Sequence, residues 1–150
     1  LGNICRSPTA HGVFEHKVAG SELAQLIEVD SAGTGSWHLG EAPDRRATAA
    51  ARCRGDDLTH LRARQVDPAD FEHFDYILAM DEENLAELEA MQPANYAGHV
   101  GLFLDFAAKA GEREVPDPYY GGNEGFDHVL DLVESASEGL LAAIRREHRL

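Results

Sequence analysis

The chain has 150 residues and a formal net charge of −14, which is one domain's worth of length with room for a single substantial core. That charge excludes non-specific binding to nucleic acid or to an anionic membrane. There is no apolar run long enough to span a bilayer and no basic-then-apolar leader, and two cysteines are too few for a disulfide framework, so a cytoplasmic setting is expected.

The opening run Leu1-Gly2-Asn3-Ile4-Cys5-Arg6-Ser7-Pro8 reads as a phosphate-binding loop entering a helix. Gly2 and Asn3 take positive φ readily, so successive N–H groups of residues 1–6 turn into one concavity that accepts an anion. Ser7 is a candidate cap and Pro8 suits the first turn, which adds the positive end of a helix at the same spot. Arg6 supplies a planar fork for two phosphate oxygens. Attraction of an anionic substrate to so acidic a protein must therefore be local.

From Ser7 to about Ala19, Ala10, Val13, Phe14 and Val18 recur at helical spacing. Leu26–Ser31 reads as a strand, the Gly-rich segment 32–37 as a turn, and Asp44 towards Cys53 as a helix. The apolar run Asp75–Met80 fits a buried parallel strand, and Asp81 caps a helix through Glu89. His99–Phe103 is a weaker strand, and 111–125 a polar loop rich in Pro and Gly. A last helix runs from about Asn123 to Glu147, with Phe126, Val129, Leu130, Val133, Leu140, Leu141 and Ile144 on one face despite Gly139. Alternating strands and helices predict an α/β layer structure with parallel pairing. A phosphate loop follows the carboxyl end of a strand, so the strand feeding Leu1 is expected upstream of it.

In Val115-Pro116-Asp117-Pro118-Tyr119-Tyr120-Gly121, the prolines hold Asp117 on a loop, outside any regular helix. The two segments together resemble the low-molecular-weight protein tyrosine phosphatases, which pair a Cys-x5-Arg-Ser/Thr loop with a distant Asp-Pro-Tyr-Tyr. Further matches are Asp30–Thr34 with Trp37, Pro43-Asp44, Ala63–Val66 and Phe74–Asp81. The resemblance implies a flavodoxin-like, three-layer α/β fold with a four-stranded parallel sheet. It places the nucleophilic cysteine immediately before Leu1, because six residues after Cys5 comes His11 and six after Cys53 comes Thr59.

The resemblance also implies roles. Arg6 and the N–H groups of Leu1, Gly2, Asn3, Ile4, Cys5 and Arg6 would bind phosphate, Asp117 would act as general acid, and Ser7 would donate its hydroxyl to the thiolate. Asn3 and Ser31 would keep the loop in shape, and Trp37, Tyr119 and Tyr120 would wall a cleft for a tyrosine ring. No cofactor and no metal are expected; the partner is a phosphotyrosine-containing protein, with phosphate and other oxyanions as product and inhibitors. Where many relatives carry a histidine just before Arg/Lys-Ala-Arg-Gln, this chain has Leu61, with His60 one place earlier.

Cys5 reads equally as an inert core thiol or as a partner able to trap the nucleophile, and Cys53 as a packing residue. The eight histidines show no metal-site pattern. Alternatives are a protein arginine phosphatase, whose members usually carry threonine at the place of Ile4, and an arsenate reductase, which would need two further reactive cysteines. A phosphate-binding module without a nucleophile is the reading if no cysteine precedes Leu1.

Overall fold

The computed structural model describes residues 4–35, 38–107, 112–118 and 122–148. The expectations for Leu1, Gly2, Asn3, Trp37, Tyr119 and Tyr120 lie outside the described residues. In chain order the elements are α1 (Arg6–Ala19), α2 (Arg45–Cys53), α3 (Asp70–His73), β1 (Tyr76–Ala79), α4 (Glu82–Met91), β2 (His99–Leu102), a 3-10 turn (Phe103–Phe106) and α5 (Asn123–His148).

β1 and β2 pair in parallel, Ile77 opposite Val100 and Ala79 opposite Leu102. Side chains alternate across a strand, and here both sides find a core. Ile77, Ala79, Val100 and Leu102 pack with Phe71 and Leu88 on the α4 face. Tyr76 and Leu78 turn the other way, into the core built by α1, α2 and α5. Helices thus cover both faces of a parallel sheet, the arrangement that buries apolar strands of this kind. Among the described residues, no helix is long and apolar enough to cross a membrane.

The helix pattern holds closely. Val13, Phe14 and Val18 of α1 are buried against Val129, Leu130, Val133, Leu140 and Ile144 of α5. Gly139 has a packing reason: a Cβ there would lie 1.7 Å from the carbonyl oxygen of Phe106, so the 3-10 turn sits directly on the helix backbone. Asp44 and Asp81 cap α2 and α4 by accepting from Arg46 N and Ala47 N, and from Asn84 N, respectively.

Three expectations need correction. Residues 27–32 lie in no ladder; they run to an isolated parallel bridge, Gly33 with Gln65. Their sequence alternates as a strand's does, with Ile27 and Val29 half-buried between exposed Glu28 and Asp30, but Leu26 is 64% exposed in a turn, and no described strand lies alongside. Ser7 is not the cap of α1: Arg6 is already helical, Cys5 holds the cap position, and no side chain caps it. Cys53, expected to pack, is exposed.

A groove of about 1020 Å³ opens between residues 26–34 and β1, floored by Ala10 and Phe14 of α1 and Leu140 and Ile144 of α5. β2 occupies one edge of β1, and the groove runs towards Ile4, Cys5, Arg6 and Ser7.

Candidate active site

The site lies past the carboxyl end of β1, where the chain leaves the sheet as Met80-Asp81, which is where open parallel sheets bind ligands. Arg6 meets it from the first turn of α1 and is 7% exposed. One of its guanidinium nitrogens, Nη1, donates to Asp81 Oδ2 at 2.7 Å and to the Val115 carbonyl at 2.9 Å. A planar fork anchored through one nitrogen keeps a fixed plane for its remaining donors.

Asp81 therefore does two jobs, capping α4 through Oδ1 and holding Arg6 through Oδ2. Burial opposes its ionisation, but the Asn84 N–H and the Arg6 guanidinium outweigh it and hold the carboxyl below its ordinary range. In the sequence, Asp81 is legible only as a cap. The partner lies 75 positions away in the chain, and only the fold brings the two together.

Val115 ties the Asp117 loop to the same point. Its N–H donates to Met80 O at 2.7 Å, while its carbonyl accepts from Arg6. Two residues on, Asp117 is exposed and joins Arg6 in an open cleft of about 600 Å³ whose other walls are Asp81–Glu83 and Glu112–Pro116. The structure thus brings Arg6 and Asp117 to one cleft, and Ile4, Cys5 and Ser7 to the end of the groove beside them. Most of the cleft's charged groups are acidic, and Arg113 is engaged by Glu82 at 2.7 Å.

Burial pushes the Cys5 thiol up to about 12, helped by the carboxylates of Asp44 and Asp117. A thiol held protonated in this way is a poor nucleophile. On the far side, Ile4 O accepts from Asp44 N at 2.7 Å, so the cap of α2 also pins the loop. Behind it, Asp30 accepts from Arg64 Nε at 3.1 Å, and Arg64 reaches Asp70 at 3.0 Å. Gly33 N donates to Arg64 O at 2.8 Å. The segments 30–34 and 63–66 thereby form one support carrying Ser31. Among the described residues, no cluster of three or more His, Cys, Asp or Glu is arranged to hold a metal ion.

Comparison with known proteins finds similarity along the whole chain. The family model described as low molecular weight phosphotyrosine protein phosphatase matches residues 1–150. A low molecular weight protein-tyrosine-phosphatase of Streptomyces coelicolor is 44% identical over 149 residues, covering 97% of this chain and 90% of that protein. The crystal structure of a protein tyrosine phosphatase from Entamoeba histolytica, with Hepes in its active site, superposes with a TM-score of 0.93 at 40% identity. It covers 100% of this chain and 95% of that one. A Drosophila arginine phosphatase is also similar, at 32% identity and a TM-score of 0.90 over 97% of this chain and 94% of that one. The chain belongs to the low molecular weight phosphotyrosine protein phosphatases, a family of phosphoric monoester hydrolases.

Proposed function

We propose that the full-length protein hydrolyses phosphotyrosine in proteins, and simple aryl phosphates, through a phosphocysteine formed on a cysteine immediately before Leu1. The observation that carries this reading is the clamp: Arg6 fixed on Asp81 and Val115 at the start of α1, with Asp117 in the same cleft. We further infer that the groove beside β1 seats the strand leading to that cysteine. Such a strand would pair with the second edge of β1 and bring residues 27–33 into the sheet, giving four parallel strands with no buried edge left unpaired.

In the first step the thiolate attacks phosphorus. Arg6 and the N–H groups of residues 1–6 hold the equatorial oxygens, while the P–O bond to the phenol breaks. Asp117 gives its proton to the leaving phenolate oxygen. In the second step water attacks phosphorus, Asp117 takes the water's proton, and the P–S bond breaks to release inorganic phosphate and thiolate. Ser7 donates to the sulfur and eases its departure. Asn3 and Ser31 keep the loop in shape, and Trp37, Tyr119 and Tyr120 flank the tyrosine ring. The free thiols of Cys5 and Cys53 suit a reducing compartment such as the cytoplasm.

The similarity to an arginine phosphatase supports a second reading, phosphoarginine hydrolysis, against which Ile4 stands. The test is turnover of phosphotyrosine and phosphoarginine peptides by the full-length chain and by a variant with serine for the cysteine before Leu1. Phosphotyrosine should be preferred and the serine variant inactive. A preference for phosphoarginine would replace the reading, and an active serine variant would refute the phosphocysteine.

A further inference from the structure

The support behind the loop contains a histidine to which no motif points. His11 stands five residues beyond Arg6 on α1 and is 8% exposed. Its Nδ1 is 2.9 Å from Ser31 Oγ, and its Nε2 is 3.4 Å from Glu15 Oε2. The second Glu15 oxygen lies 2.7 Å from His60 Nε2. The His11 and His60 rings meet edge to face at 6.5 Å.

The usual histidine before the Ala-Arg-Gln segment is therefore not supplied by its neighbour in sequence. Leu61 stands there, buried in the core, and His60 is half-exposed on Glu15. Ser31 is instead approached from α1.

We propose that His11 is a positioning residue for the phosphate-binding loop. As the neutral Nε2–H tautomer it accepts the Ser31 hydroxyl proton at Nδ1, leaving the Ser31 oxygen lone pairs for donors from the loop. Nε2 faces a carboxylate, which can only accept, so the ring proton belongs there. Nδ1 then carries a lone pair, and the Ser31 hydroxyl is the donor within reach. Protonation of His11 would reverse the polarity. Both ring nitrogens would donate, the Ser31 oxygen would accept from the ring, and its proton would turn towards the loop.

The groups facing the ring are Glu15 on its own helix, Asp30 beside Ser31, and His60. Burial, with His60, outweighs the two carboxylates and lowers the tendency of His11 to bind a proton, so the neutral form persists below the ordinary histidine range. The unfolded chain then binds more protons than the folded one between the lowered value and 6.5. Folding stability from this group is complete above that window and is lost as pH falls through it.

This inference rests on the phosphatase reading only in its kinetic part. Long-range 1H–15N spectra of the full-length chain should show His11 as the Nε2–H tautomer, with an Nδ1 shift that changes in Ser31→Ala. An Nδ1–H tautomer, or an Nδ1 shift indifferent to Ser31→Ala, would overturn the proposal whether or not the protein is a phosphatase.

In turnover of an aryl phosphate, His11→Ala and Ser31→Ala should each lower kcat about 10-fold, the size expected for one lost neutral hydrogen bond, with no further loss in the double variant. His11→Asn, whose carbonyl can accept the same proton, should recover most of the loss and abolish the acid inflection of kcat/KM that coincides with the His11 titration. Wild-type kcat and pH profile in His11→Ala would refute the role. No turnover by the wild type would instead count against the phosphatase reading, leaving the tautomer to decide on His11.

Discussion

Arg6→Lys in the full-length protein should lower kcat/KM for an aryl phosphate by roughly 10²-fold or more, as for removal of a preorganised transition-state donor, while the protein still folds. Lysine keeps the positive charge beside the half-buried Asp81, so its carboxylate is not left without a counter-ion. What it lacks is the fork. The guanidinium spends Nη1 on Asp81 and Val115 and still presents other donors in a fixed plane, whereas an ammonium at the end of a flexible stem cannot hold those partners and two phosphoryl oxygens together. Steady-state kinetics with a thermal melt of each variant check this. Near-normal turnover in a folded Arg6→Lys protein would remove Arg6 from the phosphate site.

Asp117→Asn should produce a loss that depends on the leaving group. Asparagine preserves size and much of the turn chemistry between the two prolines but has no proton to transfer, so the step that expels a basic phenolate is slowed most. Phosphotyrosine should suffer strongly, by roughly the 10²–10⁴-fold typical of a lost general acid. An aryl phosphate whose phenol is already acidic should form the phosphoenzyme nearly as fast as before. Burst or single-turnover kinetics across a phenol series give the answer, because in the proposed mechanism Asp117 also serves the later hydrolysis and steady-state rates mix the two steps. An equal loss for every leaving group, or a melting shift large enough to explain it, would make Asp117 a turn-former.

Local signals carried far in this chain, and long-range ones did not. The spacing of Val13, Phe14 and Val18, or of Val129, Leu130 and Val133, places α1 and α5 because helical burial is periodic. The caps Asp44 and Asp81 mark the starts of α2 and α4 because the orphan N–H groups of a first turn need a nearby acceptor. The clamp was half legible. Arg6 stands in a recognisable loop, but its partners come from the end of β1 and from the Asp117 loop, and nothing in the pattern of either segment announces the pairing. His11 was hidden for the same reason. It occupies an apolar face of α1, where a histidine reads as core until Ser31 is found against it.

The strand expected at Leu26–Ser31 lacks a ladder among the described residues for a different cause. Alternation of Ile27 and Val29 with Glu28 and Asp30 states which side is buried, while a ladder also needs a neighbour whose hydrogen bonds it can share. Serine favours a cap position, which makes Ser7 the candidate by sequence. Here Arg6 is already the first residue of α1 and Cys5 holds the cap position, with no side chain capping it.

The measurement that tests the account most directly is trapping of the phosphoenzyme. Full-length Asp117→Asn, mixed briefly with an aryl phosphate of an acidic phenol and quenched, should carry the mass of one phosphoryl group on the peptide leading into Leu1, as a phosphocysteine directly before that residue. A phosphoryl group on Cys5, on Cys53 or on a histidine, or a rapid burst of phenol with no labelled cysteine, would contradict it.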